Sequence, residues 1–139
     1  MNHESATEEL RRLAVQAAHQ AYAPYSRLWV GAALRSGMGA VYLGCNVENA
    51  AYPLGGCAER AALAAAIQAE GPDFRLEAIA VAALAEDGAP LPVSPCGGCR
   101  QALVEFGAQA WVEFRQPDAR WIQVTADALL PWRFVLPGN

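Results

Sequence analysis

Apolar positions along the chain change period several times, and each change marks an element. From Thr7 to about Tyr22 they fall at Leu10, Leu13, Ala14, Ala17, Ala18 and Ala21, with polar residues between, and Pro24 ends the run. That spacing lays one stripe along a 3.6-residue turn and predicts an amphipathic first helix. WVGAALRS (Trp29 to Ser36) and AVYLGCNV (Ala40 to Val47) are β-rich, and the glycines between them predict a hairpin turning at Gly37 to Gly39. A loop with Asn46, Asn49, Pro53, Gly55 and Gly56 follows.

Cys57 to about Ala69 consists of strong helix formers closed by Gly71 and Pro72, whereas LEAIAVAALA, apolar at every position but Glu77, reads as a buried strand. A further helix runs from about Cys96 to Phe106 and ends at Gly107. AWVEFR and WIQV read as strands, and a short helix near Thr125 to Leu130 stops at Pro131. The order α-β-β-α-β-α-β-β-α predicts one α/β domain over residues 1–139, a sheet covered by helices on both faces. Its ligand site belongs at one edge, where helix starts meet. No repeat, low-complexity tract or linker divides it.

Composition narrows the partners. A chain of 139 residues, 54% hydrophobic and 17% charged, can bury one core and is not expected to be disordered. The net charge is -4 and no Lys/Arg cluster exists to meet a phosphate backbone, so no nucleic-acid partner is expected. His3, Glu4, Glu8 and Glu9 stand where a secretory leader would carry positive charge and then an apolar run. The longest apolar runs, Ala61 to Ile67 and Ala78 to Ala85, fall well short of the roughly 20 residues of a membrane span. These features predict a cytoplasmic protein with no membrane partner, in which four cysteines suggest metal or catalysis rather than disulfides.

Cys96 and Cys99 are spaced so that two thiolates of one tight turn can reach a single metal ion. Cys57 repeats their setting, small residues before it and a helix after it, and is the candidate third ligand. A helix N-terminus favours thiolate over thiol. Three ligands leave a fourth position open, as in catalytic zinc sites, and Glu59 in the first helical turn can reach that position as a proton shuttle. Three thiolates on Zn²⁺ leave a net charge near -1, which Arg60, and less directly Arg100, would offset by hydrogen bonding to sulfur. Alternatives stay open. Cys45 would close the site as a fourth structural ligand, or remain a buried thiol; CGGC alone would also suit a redox pair. The two arginines would equally suit a solvated helix face, and His3 and His19 read as surface and helix-packing residues.

Three cysteines, a non-ligand glutamate and a P-C-x-x-C run form the pattern of zinc nucleobase deaminases. From about Ala21 to Phe134, through AYAPYSRLWVGAAL, GCNVENAAYPLGGCAERAAL and SPCGGCRQAL, the chain resembles the small, zinc-dependent, homotetrameric cytidine deaminases. The resemblance implies a three-layer α/β/α sandwich around a mixed five-stranded sheet, one Zn²⁺ per chain on Cys57, Cys96 and Cys99, and Glu59 as general acid/base. It implies that Asn46 and Glu48 hold the ribose 3′-hydroxyl, an assignment that fits an amide and a carboxylate and would repel a 3′-phosphate. Leu28 and Ala58 would face the substrate, Ala50 and Tyr52 would reach a neighbouring subunit's site, and Phe134 would close over the pyrimidine from another subunit. Leu28-Trp29 replaces the family's usual Phe-Pro, so the aromatic wall is lost or rebuilt by Trp29, and Trp132 competes with Phe134 as the lid. The implied reaction is hydrolytic deamination of cytidine and 2′-deoxycytidine, a step of pyrimidine salvage. A blasticidin S-type antibiotic deaminase resembles the same motifs, and a non-catalytic zinc module is the reading from another class.

Overall fold

Alternation along the central strands decides which helix covers which face. In the computed structural model, which describes residues 3–138, the strands are β1 (Trp29–Ser36), β2 (Val41–Cys45), β3 (Leu76–Leu84), β4 (Pro90–Leu91), β5 (Trp111–Arg115) and β6 (Trp121–Thr125). They form one sheet in the order β2-β1-β3-β5-β6, with the two-residue β4 paired to the end of β3. The β3–β5 pair is parallel and the others are antiparallel, so the sheet is mixed. The five strands read from sequence are present, and β4 is an addition.

On β1 and β3, Ala32, Leu34, Ile79 and Val81 point into one apolar cluster with α2 (Ala58–Glu70), α3 (Gly97–Phe106) and α4 (Ala126–Leu129). Ala33, Ala78, Ala80 and Ala82 point the other way, against Leu10 and Ala14 of α1 (His3–Ala18). The layers are therefore helix, sheet and helix, with the deeper core on the α2–α3 side. Alanines on the opposite face let α1 approach closely. Gly31 completes that approach, since a Cβ there would lie 2.1 Å from the Ala14 carbonyl oxygen. Gly44 of β2 has the same relation to α2, 2.4 Å from the Ala58 carbonyl oxygen.

Glu113 of β5 is the polar exception on the α1 face. It is buried, and its carboxylate accepts a hydrogen bond from Arg11 of α1 at 2.7 Å. The same guanidinium lies 5.1 Å from the Trp121 ring centroid, which shields the pair.

The first helix departs from its predicted bounds: it begins at His3 and ends at Ala18, four residues before Tyr22. The apolar stripe continues through Ala21, but Tyr22 is drawn into extended pairing with the segment after β2. Its N–H donates to the Asn46 carbonyl at 3.1 Å, and its own carbonyl accepts from the Glu48 N–H at 2.9 Å. Cys57 and Cys96, read as the first residues of their helices, instead occupy the N-cap positions with extended backbone.

Candidate active site

Two N-caps and one helical turn assemble a sulfur cluster. At an N-cap the backbone is not yet helical, so Cys57 and Cys96 stand at the ends of α2 and α3, where free N–H groups and the helix dipoles favour negative charge. Cys99 lies one turn into α3 and is buried. The three sulfurs all lie within 4.8 Å of one another. All four cysteines are free, and Cys45, paired with Gly31 in the sheet, is not part of the cluster.

The donor set itself tests the fit to a metal. Three thiolates, with no imidazole among them, make a soft site suited to zinc. Their electrostatics point the same way. Burial pushes the Cys99 thiol up, and the nearby negative charges of Glu59 and Cys57 add to the shift. The Cys96 thiol is lowered instead, chiefly by a hydrogen bond from the Cys99 backbone N–H. Gathering three thiolates at one point is costly without a cation, and one divalent ion offsets that charge. The cluster is suited to hold a single zinc ion.

Glu59 is the second residue of α2 and only 4% exposed. Burial raises its carboxyl above the usual carboxylate range, while a backbone N–H, the Cys99 thiol and Arg60 pull it back. A carboxyl so placed exchanges protons more readily near neutral pH than a solvated one. Arg60 reaches back across one helical turn, with Nη2 3.7 Å from the Cys57 sulfur, and the thiols beside it reinforce its positive charge. Arg100 does something else. It donates to the Pro95 carbonyl at 2.7 Å and to the Leu129 carbonyl at 3.1 Å, tying the loop before α3 to α4 rather than serving a sulfur.

Cys57, Cys96 and Glu59 open onto a cleft of about 440 Å³ that Asn46 and Glu48 also line. The side chain of Asn46 is held between backbone groups at the start of β1, accepting from the Val30 N–H at 2.8 Å and donating to the Leu28 carbonyl at 2.9 Å. Glu48 accepts from the N–H groups of Tyr25 at 3.0 Å and Ser26 at 3.1 Å, and from the Ser26 hydroxyl. These bonds, the hydroxyl foremost, hold its carboxyl below the usual range. Leu28, Val30, Ala58 and Val93 supply apolar wall.

Leu28 and Trp29 part company. Leu28 lines the cleft, whereas Trp29 lines a separate hollow with His19 and Leu84, so the wall beside Leu28 is aliphatic and Trp29 does not rebuild it. Tyr52 lines this chain's own cleft and meets Tyr25 edge-on at 5.9 Å. Ala50 sits exposed in the bend before it. Phe134 is 66% exposed and Trp132 96% exposed, both outside the cleft. The backbone of Phe134 is clasped by Gln101, which accepts from its N–H at 3.0 Å and donates to its carbonyl at 3.1 Å. Ser26, Val30, Val93 and Ser94 also line the cleft without a sequence assignment of their own; Ser26 and Val30 lie within AYAPYSRLWVGAAL and Ser94 within SPCGGCRQAL, whereas Val93 lies outside both motifs.

Residues 4–114 match the sequence profile described as the cytidine and deoxycytidylate deaminase zinc-binding region. The chain belongs to this deaminase family. A cytidine deaminase of Halalkalibacterium halodurans is 42% identical over 124 residues, covering 87% of this chain and 88% of that protein. One from Mycobacterium tuberculosis is 48% identical over 98 residues, covering 70% of this chain and 69% of that protein. Among solved structures, the cytidine deaminase of Burkholderia pseudomallei aligns with a TM-score of 0.80 at 40% identity, covering 96% of this chain and 100% of that one. The resemblance carried by Cys-Ala-Glu and Pro-Cys-Gly-Gly-Cys is thus borne out, as are the α/β fold with its mixed sheet and the expectation of a zinc-binding deaminase domain whose cysteine cluster suits one metal ion.

Proposed function

We propose that this chain hydrolyses cytidine and 2′-deoxycytidine to uridine and 2′-deoxyuridine with release of ammonia. The observation that carries the reading is a buried Glu59 beside a three-sulfur cluster, in a cleft that Asn46 and Glu48 also line. Cys57, Cys96 and Cys99 would hold the zinc ion. When bound, it supplies Lewis acidity, lowering the pKa of the nucleophilic water and offsetting the negative charge that builds on its oxygen.

Glu59 takes the proton that water gives up as its oxygen adds to C4 of the base, and delivers it to N3. The carboxylate then collects the remaining proton from the oxygen added at C4 and passes it to the amino group; the C4–N bond breaks, the C4 carbonyl forms and ammonia leaves. One carboxylate serves both transfers, and burial suits it to hold the proton between them. Arg60 withdraws charge from Cys57. Asn46 and Glu48 bind the sugar hydroxyl, and Leu28, Ala58 and Val93 exclude water around the base.

Two features support a homotetramer with sites completed by neighbouring subunits: Tyr52 is exposed at the mouth of the cleft, and Trp132, Phe134, Val135 and Leu136 form an exposed apolar tail. Ala50 and Phe134 would act across that contact. No helix among the described residues is long and apolar enough to cross a membrane, and the charge pattern offers no nucleic-acid surface; we place the enzyme in the cytoplasm, in pyrimidine salvage, as one domain.

Ammonia release and the ultraviolet change on cytidine, 2′-deoxycytidine, cytidine monophosphate and blasticidin S, with zinc measured in the same sample, test the reading. Turnover of the two nucleosides with about one zinc per chain is expected. Full zinc with no turnover of either nucleoside would overturn it.

A further inference from the structure

The loop between α1 and β1 bears on the cleft in a way that none of the residues assigned above explains. Glu48 is held almost entirely by it: one carboxylate oxygen takes both backbone N–H groups, of Tyr25 and Ser26, and the other takes the Ser26 hydroxyl. A carboxylate oxygen offers about two lone-pair sites. The first is therefore filled, and the second keeps one site in a direction set by Ser26. The hydroxyl is itself fixed, because its oxygen accepts from the Leu28 N–H at 3.1 Å. The proton of Ser26 thus points to Glu48 and is not free for a ligand.

The loop that carries Ser26 is braced. Arg27 has φ 59°, a left-handed conformation that long side chains rarely adopt. Its N–H donates to the Ala23 carbonyl at 3.1 Å, and its guanidinium pairs with Glu86 after β3 at 2.7 Å. Strain of this kind persists where surrounding contacts over-determine it. Here it presents Ser26 and Leu28 to one cleft.

We propose that Ser26 is a positioning residue for substrate selection: it orients Glu48 so that a single acceptor site faces the cleft, matched to one sugar hydroxyl. The inference rests on the reading of the cleft as a nucleoside site. Removing the hydroxyl leaves Glu48 on two backbone bonds to one oxygen and lets the other swing. The loss then falls on recognition of the sugar, not on proton transfer at Glu59.

The experiment compares cytidine with 3′-deoxycytidine in the zinc-loaded wild type, Ser26→Ala and Ser26→Thr. Ser26→Ala should lower kcat/KM for cytidine on the order of tenfold, mostly through KM, while changing the value for 3′-deoxycytidine less than about twofold. Ser26→Thr, which keeps the hydroxyl, should restore the wild-type ratio. The ratio of two substrates in one sample is insensitive to the fraction folded, and Ser26→Cys, a weak donor of similar size, replaces the alanine variant if that one does not fold. Equal losses on both substrates, or no loss, would overturn the inference while leaving the nucleoside reading in place. A zinc-loaded wild type inactive on cytidine would overturn both.

Discussion

Gly31 and Gly44 make a matched pair of perturbations, because each lets a helix touch the sheet and only one of those helices, α2, carries Glu59 and the Cys57 cap. A Cβ at Gly44 would lie 2.4 Å from both the Ala58 carbonyl oxygen and the Ala62 nitrogen of α2. Ordinary contact needs about 1 Å more. Both obstacles are backbone, so no side chain can turn aside and α2 must move away from β2. The residue after Ala58 is Glu59, and the residue before it is the Cys57 ligand candidate. A displacement of about 1 Å at reacting groups lowers turnover on the order of 10²-fold, and overpacking against a backbone costs up to about 3 kcal/mol. Gly44→Ala should therefore lower the melting temperature on the order of 10 °C and also reduce kcat about a hundredfold in the folded, zinc-loaded fraction. At Gly31 the clash is at least as severe, 2.1 Å from the Ala14 carbonyl oxygen and 2.3 Å from the Ala18 nitrogen, but it displaces α1 on the opposite face. Gly31→Ala should lose similar stability and keep its kcat. Thermal unfolding and steady-state deamination, both on zinc-quantified samples, measure the two quantities. Equal loss of kcat in the two variants, or full activity of Gly44→Ala, would refute the claim that the β2–α2 contact sets the position of Glu59.

Three further substitutions separate proton transfer from metal binding. Glu59→Gln should retain fold and zinc yet lose turnover by several orders of magnitude, since both proton transfers of the proposed reaction pass through this side chain; normal turnover would remove Glu59 from the mechanism. Cys99→Ala should lose zinc and activity together, whereas Cys45→Ala should keep both because Cys45 stands outside the sulfur cluster; metal analysis of the two purified variants decides.

The sequence made the helix–strand order legible because glycine and proline punctuate it and because LEAIAVAALA, apolar at all positions but Glu77, reads as a strand, and every residue of that strand except Glu77 is buried. The metal site was legible for a related reason: all three cysteines sit at or within one turn of a helix start, so local spacing carries the geometry. What escaped depends on distant contacts. The end of α1 is set by Tyr22 pairing with residues beyond β2, and β4 is two residues with no periodicity to read. Ser26 meets Glu48 across 22 residues, so no local pattern reveals its task. The fate of Leu28-Trp29 was closer to hand, because adjacent residues entering a strand face opposite sides, and only one of the two could line the cleft.

The same reasoning explains why two helix starts are needed but one carboxylate suffices. Cys57 and Cys96 at the caps of α2 and α3 bring two positive dipole ends to one point, which favours the first negative charges. They are not enough for the third: Cys99 is buried inside α3 and its thiol is pushed up by burial and by Glu59 and Cys57. A second carboxylate at the start of α3 would add one more negative charge to a cluster already resisting ionisation. That position is instead Gly97-Gly98, with no side chain and open space around each. Since the proposed reaction routes both proton transfers through Glu59, a second carboxylate there would add charge without adding a step.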